Sequence, residues 1–120
     1  MNMFKYVLDA AAGALRVPLM PAPARHTVPS AVYRYFPGES DGALASARFE
    51  VRIFARTPAE CTEELERLRR AIVADGDAGV IGDEADPLIV CETKEGSGSG
   101  FVRGGELYFV KAGFDIKGRA

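Results

Sequence analysis

The chain of 120 residues carries 17 acidic and 15 basic side chains, for a formal net charge of -2, and is 48% hydrophobic. That suffices for one domain, residues 1–120, around a modest core, and it argues against a surface built throughout to neutralise nucleic-acid phosphates, although a local basic patch stays open. No run of about 18 apolar residues exists, and the first residues lack the pattern of a secretion signal, so a soluble cytoplasmic protein is expected.

From Met3 to about Val17, Phe4, Leu8, Ala11 and Leu15 recur at helical spacing, with Val7 and Ala14 widening the stripe, which predicts an amphipathic helix. Prolines at 18, 21, 23 and 29 stop it and predict an extended surface connector. A strand follows at Ala31 to Phe36, then a loop of about ten residues, PGESDGALAS at 37–46, punctuated by Pro37, Gly38 and Gly42. In residues 47–56, Phe49, Val51, Ile53 and Ala55 alternate with Arg48, Glu50, Arg52 and Arg56, the clearest strand pattern in the chain, with Phe54 breaking the polar face.

Thr57, Pro58 and Glu60 then form a capping box that starts a second helix, in which Cys61, Leu65, Leu68 and Ile72 repeat the apolar spacing. Glu63 with Arg67 and Glu66 with Arg70 are set to pair on its wet side, and Gly76 is its expected stop. The acidic, glycine-rich stretch 75–87 predicts a surface excursion before a third strand at about 88–93. KEGSGSGFVRGGE at 94–106 predicts a long hairpin tip, and Tyr108, Val110, Ala112, Phe114 and Ile116 mark one face of a fourth strand over 107–116. The expected fold is α+β: a largely antiparallel four-stranded sheet with two helices on one face, order α-β-β-α-β-β, and two long hairpin loops.

The chemical inventory is thin. His26 is the single histidine and lies among prolines, Cys61 belongs to an apolar helix stripe, and both cysteines, Cys61 and Cys91, read as buried small hydrophobes. Asp75, Asp77, Asp83, Glu84 and Asp86 supply oxygen ligands without the spacing of a calcium loop. Gly96, Gly98 and Gly100 lead into a strand and not a helix, so the stretch lacks the helix N-terminus of a phosphate site, and only its own amides with Lys94 or Arg103 would serve one. No catalytic residue, cofactor or metal site is expected. A hairpin that only reverses the chain needs about 2 to 5 residues, so the two long tips suggest a module that works through loop contacts, and Phe54 reads as an exposed apolar spot.

Residues 29–72, with VYRYFPGES, DGALASARFEV and an arginine-ended strand leading into TPAEC and an amphipathic helix, resemble the tail terminator or tail completion proteins of phages with long non-contractile tails, prophages and gene-transfer particles. In element order the resemblance extends over about residues 3–117. It implies a small α+β subunit, not an enzyme, that assembles head to tail into a ring, commonly of six copies, at the head-proximal end of the tail. Its implied partners are itself, the tail tube protein and a neck or head-completion protein, with DNA passing the lumen without specific binding and no membrane contact. Assembly would take place in the host cytoplasm. On this reading Glu39, Asp41, Lys94, Glu95, Phe101, Val102 and Arg103 are candidates for tube, neck or lumen contact, and Phe54 for the subunit seam. A neck or head-completion connector is the near alternative. A small phosphate- or ligand-binding domain acting through residues 96–105 is the alternative of another class.

Overall fold

The alternation in residues 47–56 becomes the spine of the molecule. The computed structural model describes residues 3–22, 29–41, 44–73, 78–83, 86–102 and 107–119. Among them the elements are α1 (Met3–Ala14), β1 (Leu19–Pro21), β2 (Ser30–Asp41), β3 (Leu44–Ala55), α2 (Pro58–Ile72), β4 (Ala78–Asp83), β5 (Asp86–Val102) and β6 (Leu107–Arg119). Strands β3 and β6 pair antiparallel in unbroken register, from Leu44 opposite Arg119 to Ala55 opposite Tyr108. Successive side chains point to opposite faces, so Ala47, Phe49, Val51 and Ile53 stand beside Ile116, Phe114, Ala112 and Val110 on one face. The two helices cover that face. Met3, Val7, Ala11 and Leu15 from the α1 stripe join Leu65, Leu68 and Ile72 of α2 in the same apolar cluster as these strand residues. Burial of each large member, such as Phe49, Phe114 or Leu68, contributes about 2 kcal/mol.

The fold is α+β, but the expected four-stranded sheet is corrected. Six strands form one sheet in the order β1-β2-β3-β6-β5-β4, with β1 and β2 parallel and the other neighbours antiparallel. The chain order is therefore α-β-β-β-α-β-β-β. The first added strand comes from the proline connector: Pro18 and Pro21 lack amide hydrogens, yet an edge strand needs donors on one side only. Ala31 N–H donates to Pro18 O at 2.7 Å and Ala22 N–H to Tyr33 O at 2.9 Å, tying β1 to β2. The second added strand, β4, arises within the acidic excursion, where Val80 pairs with Ile89 and Ile81 with Leu88.

The two long hairpin loops are also corrected, because most of their residues continue the strands. Asp41 pairs with Leu44, which leaves residues 42–43 between β2 and β3, and Val102 pairs with Leu107, which leaves 103–106 between β5 and β6. Register shifts between Pro37 and Ser40 and between Thr93 and Gly98 absorb the residues that favour turns. A bulge of this kind lets strand pairing resume beyond a proline or a polar insert.

Helix α2 starts as expected. Thr57 caps it, its hydroxyl accepting from Glu60 N–H at 3.1 Å, with Pro58 in the first turn. The helix ends at Ile72, before Gly76, which lies outside the described residues. Glu66 pairs with Arg70 at 3.7 Å, whereas Arg67 turns to Glu64 at 3.3 Å instead of Glu63. Glu64 is buried and its two carboxylate oxygens each accept from the Arg16 backbone N–H at 3.2 Å, so one side chain joins the end of α1 to α2. Arg69 clamps Glu92 of β5 through two bonds of 2.8 Å, joining α2 to the sheet in the bidentate geometry that guanidinium favours. Among the described residues no helix is long and apolar enough to cross a membrane.

Gly79 lets β4 pass against the end of α2: a Cβ there would press on the Ile72 carbonyl oxygen and lie 2.8 Å from Val73 Cα, both backbone atoms. Gly79→Ala is therefore expected to cost about 1–3 kcal/mol by forced overpacking, read as a lowered melting temperature. Glu64→Ala strips the Arg16 amide of its partner and is expected to cost about 1–3 kcal/mol, with Glu64→Gln losing less because an amide oxygen still accepts. Equal losses for the two Glu64 variants would show that the carboxyl oxygen does not hold α1 to α2.

Candidate functional site

Because β3 and β6 run antiparallel, the hairpins that feed them turn at opposite ends of the sheet. The β2–β3 hairpin turns beside the Leu44 and Arg119 end, and the β5–β6 hairpin beside the Ala55 and Tyr108 end. The described chain spans 47 × 26 × 23 Å along its principal axes. Each arm carries exposed apolar surface near its turn: Leu44 on the first, and Phe101 with Tyr108 on the second, their rings 5.0 Å apart as a cross-strand pair.

The residues singled out in the sequence divide between these arms. Glu39 and Asp41 belong to the last part of β2, Asp41 opposite Leu44. Lys94 and Glu95 fall in β5 inside its register shift, and Phe101 and Val102 pair with Tyr108 and Leu107. Arg103 lies outside the described residues, as do His26, Asp75, Asp77 and Glu84. The structure thus separates Glu39 and Asp41 from Phe101 and Val102 by the length of the sheet, with Lys94 and Glu95 midway along it, instead of gathering them at one surface. Tyr108 is the member of the second arm that sequence reading assigned to the core stripe; it opens that stripe four residues before Ala112, the first buried residue on its face.

The glycines of 94–106 find their explanation in the opposite strand. Gly100 pairs with Phe109, and a Cβ on Gly100 would come within 2.7 Å of the Phe109 ring. The aromatic ring therefore lies across the strand where a side chain is missing, which shields the backbone and supports strand pairing in a sequence of low strand propensity. Gly98 through Val102 stand in register with β6, so an extended strand with alternate amides in the ladder occupies that part of 96–105 where a closed loop was expected.

Phe54 requires a further correction. Expected as an exposed spot on the charged face, it is 1% exposed. It stands opposite Phe109 with ring centroids 6.1 Å apart, and the Arg52 guanidinium lies 5.2 Å over the Phe109 ring. Leu107, on the same face by register, is also fully buried. A small apolar cluster thus sits on the face opposite the helices, and the premise for placing Phe54 at a subunit seam is removed. Phe109 breaks the alternation of its strand as Phe54 breaks that of β3; reading the two interruptions as partners would have found the cluster.

Of the two cysteines expected to be buried, only Cys91 departs from expectation. Cys61 is buried, with its thiol 3.3 Å from the Tyr108 carbonyl oxygen, but Cys91 is exposed on β5. Burial pushes the Cys61 thiol up, opposed by a hydrogen bond at the Ala55 backbone and reinforced by the nearby Glu60 carboxylate. A protonated thiol donating to carbonyls is a packing group and not a nucleophile. Among the described residues no three His, Cys, Asp or Glu side chains come together as a metal would require. An open cleft of about 720 Å³ lies along the β1–β2 edge, lined by Phe4, Tyr33, Tyr35 and Phe36, with Arg34 as its one charged member. Burial alone raises the Tyr35 phenol above its ordinary range. No protein-family model matches the chain, and no curated protein matches it.

A thiol reagent is expected to modify Cys91 in the folded protein and Cys61 only on unfolding, so mass analysis should find one label under native conditions. Because the folded Cys61 pKa is raised, the stability tied to its neutral thiol is complete below the ordinary thiol pKa and is lost as pH rises through and above it. The melting temperature of the native chain should therefore fall more between neutral and alkaline pH than that of Cys61→Ala.

Proposed function

We propose that this chain is a structural assembly subunit of a phage-type tail, a ring-forming tail terminator that caps the tail tube and offers the surface to which the head joins. The observation that carries the reading is the pair of hairpin arms held at opposite ends of one continuous sheet. A terminator touches two different neighbours at once, the last tube layer on one side and the neck on the other. A subunit with an arm at each end of a continuous β3/β6 spine has the geometry for both contacts. The sequence resemblance of residues 29–72 supports the same reading, Leu44 exposes apolar surface at one end, and Tyr108 beside Phe101 at the other is an aromatic anchor of the kind that concentrates binding energy. Ring closure needs a heterologous interface between copies, and the open edge of β2 beyond its pairing with β1 is available for it among the described residues.

A neck or head-completion connector uses the same two-ended geometry, and its partners separate the readings. The deciding experiment polymerises tail tube subunits with and without this chain and measures tube length by negative stain. Tubes of limited length with the protein at one end are expected. Phe101→Asp combined with Tyr108→Asp should abolish capping while circular dichroism stays unchanged, since both side chains are exposed. Tubes that grow without limit in the presence of the native chain rule out the terminator, and binding to the neck complex alone selects the connector.

A further inference from the structure

The sheet face without helices has a charge pattern that the overall composition conceals. By register it carries six cationic residues: Arg34 on β2, Arg48 and Arg52 on β3, and Lys111, Lys117 and Arg119 on β6. Among the described side chains two carboxylates share it, Glu50 and Asp115. Glu50 accounts for two of the cations, with Arg48 Nε at 3.5 Å and Lys111 Nζ at 4.0 Å. Arg34, Arg52, Lys117 and Arg119 are exposed, and among the described residues none of the four has an ion-pair partner. The helix layer behaves differently, since Arg67, Arg69 and Arg70 are engaged by Glu64, Glu92 and Glu66. A chain of formal net charge -2 therefore concentrates unpaired positive charge on one side of its sheet.

We infer that this face is a contact surface for the phosphate backbone of duplex DNA, bound without regard to sequence. From the Arg52 level to the Arg119 level the cations follow the strands for eight residues, about 27 Å at roughly 3.4 Å each. A duplex presents one phosphate charge per about 1.7 Å of its axis, so a line of cations of this length meets phosphates throughout. Among the described aromatic rings of this face only Phe36 is exposed, Phe109 lying under Arg52. A single-strand site would need successive stacking platforms, so backbone charge and not base stacking is what the face offers. The inference rests on the charge layout and takes from the tail reading only the choice of DNA as the polyanion.

Fluorescence anisotropy of a labelled duplex of about 30 base pairs tests it, with the folded state of each variant checked by circular dichroism. Four phosphate contacts give a salt slope of about -3.6, so affinity should fall about 100-fold between roughly 50 and 200 mM salt. The combined variant Arg34→Glu, Arg52→Glu and Lys117→Glu should bind at least about tenfold more weakly with a shallower slope, as the loss of three phosphate contacts requires. Glu50→Gln should bind more tightly by freeing Arg48 and Lys111, and Arg70→Glu on the helix layer should change nothing. Absence of binding at the lowest salt, an equal loss in Arg70→Glu, or tighter binding of a single strand than of the duplex each overturns the inference. So does sedimentation showing that the triple variant differs from the native chain in self-association and not in DNA affinity. The tube-length experiment contains no DNA, so failure there and failure here are separate results.

Discussion

One register governs the molecule. The unbroken antiparallel pairing of β3 with β6 places Phe49 beside Phe114 and Val51 beside Ala112 on one side, and Glu50, Arg52, Lys111 and Asp115 on the other. A slip by one residue would exchange these faces and put charge under the helices, at a cost no single contact could offset. The helices, the outer strands and both arms are attached to this pair, so their positions follow from it. The half made of α1, β1, β2 and β3 meets the half made of α2, β4, β5 and β6 along this seam, and the strand order reads outward from it in the same way on each side.

Few polar contacts then suffice to fix the helix layer. The Glu64 carboxylate meets the Arg16 amide, and Arg69 meets Glu92. Helix α1 touches β4, while its Phe4 ring packs on Tyr33 and Tyr35 of β2 at 5.9 and 4.9 Å. One helix therefore reaches strands on both sides of the central pair, and the opposite face carries no helix among the described residues.

Periodicity made the inner strands and both helices legible, because the residues that define them obey one period over many positions. Ala47 to Ala55 and Tyr108 to Ile116 needed only the two-residue alternation, and Thr57 with Pro58 announced α2. What escaped depended on partners distant in sequence. Strand β1 has three residues and two of the local signals against it, Pro18 and Pro21, and exists because Ala31 and Tyr33 offer backbone groups. The glycine-serine run lacks strand propensity and is held by Phe109 and the β6 ladder. The same limit affected the candidate site: loop length was inferred from turn-favouring residues, whereas pairing left only 42–43 and 103–106 between strands. The unequal distribution of charge over the two faces was invisible in a net charge, yet each residue's side of the sheet was already implied by alternation.

The central seam has a consequence for how the chain is made. It joins residues that are more than fifty positions apart where Ala55 meets Tyr108, and β6 is the last described strand to leave the ribosome. Until then the inner edge of β3 is a bare ladder of amides and carbonyls beside an apolar face, the kind of edge that recruits stray strands. Folding dominated by such distant pairing is slow compared with that of helical bundles. The nascent first half is therefore the form most in need of a chaperone or of prompt completion, and the final strand is the one that makes the rest safe from aggregation.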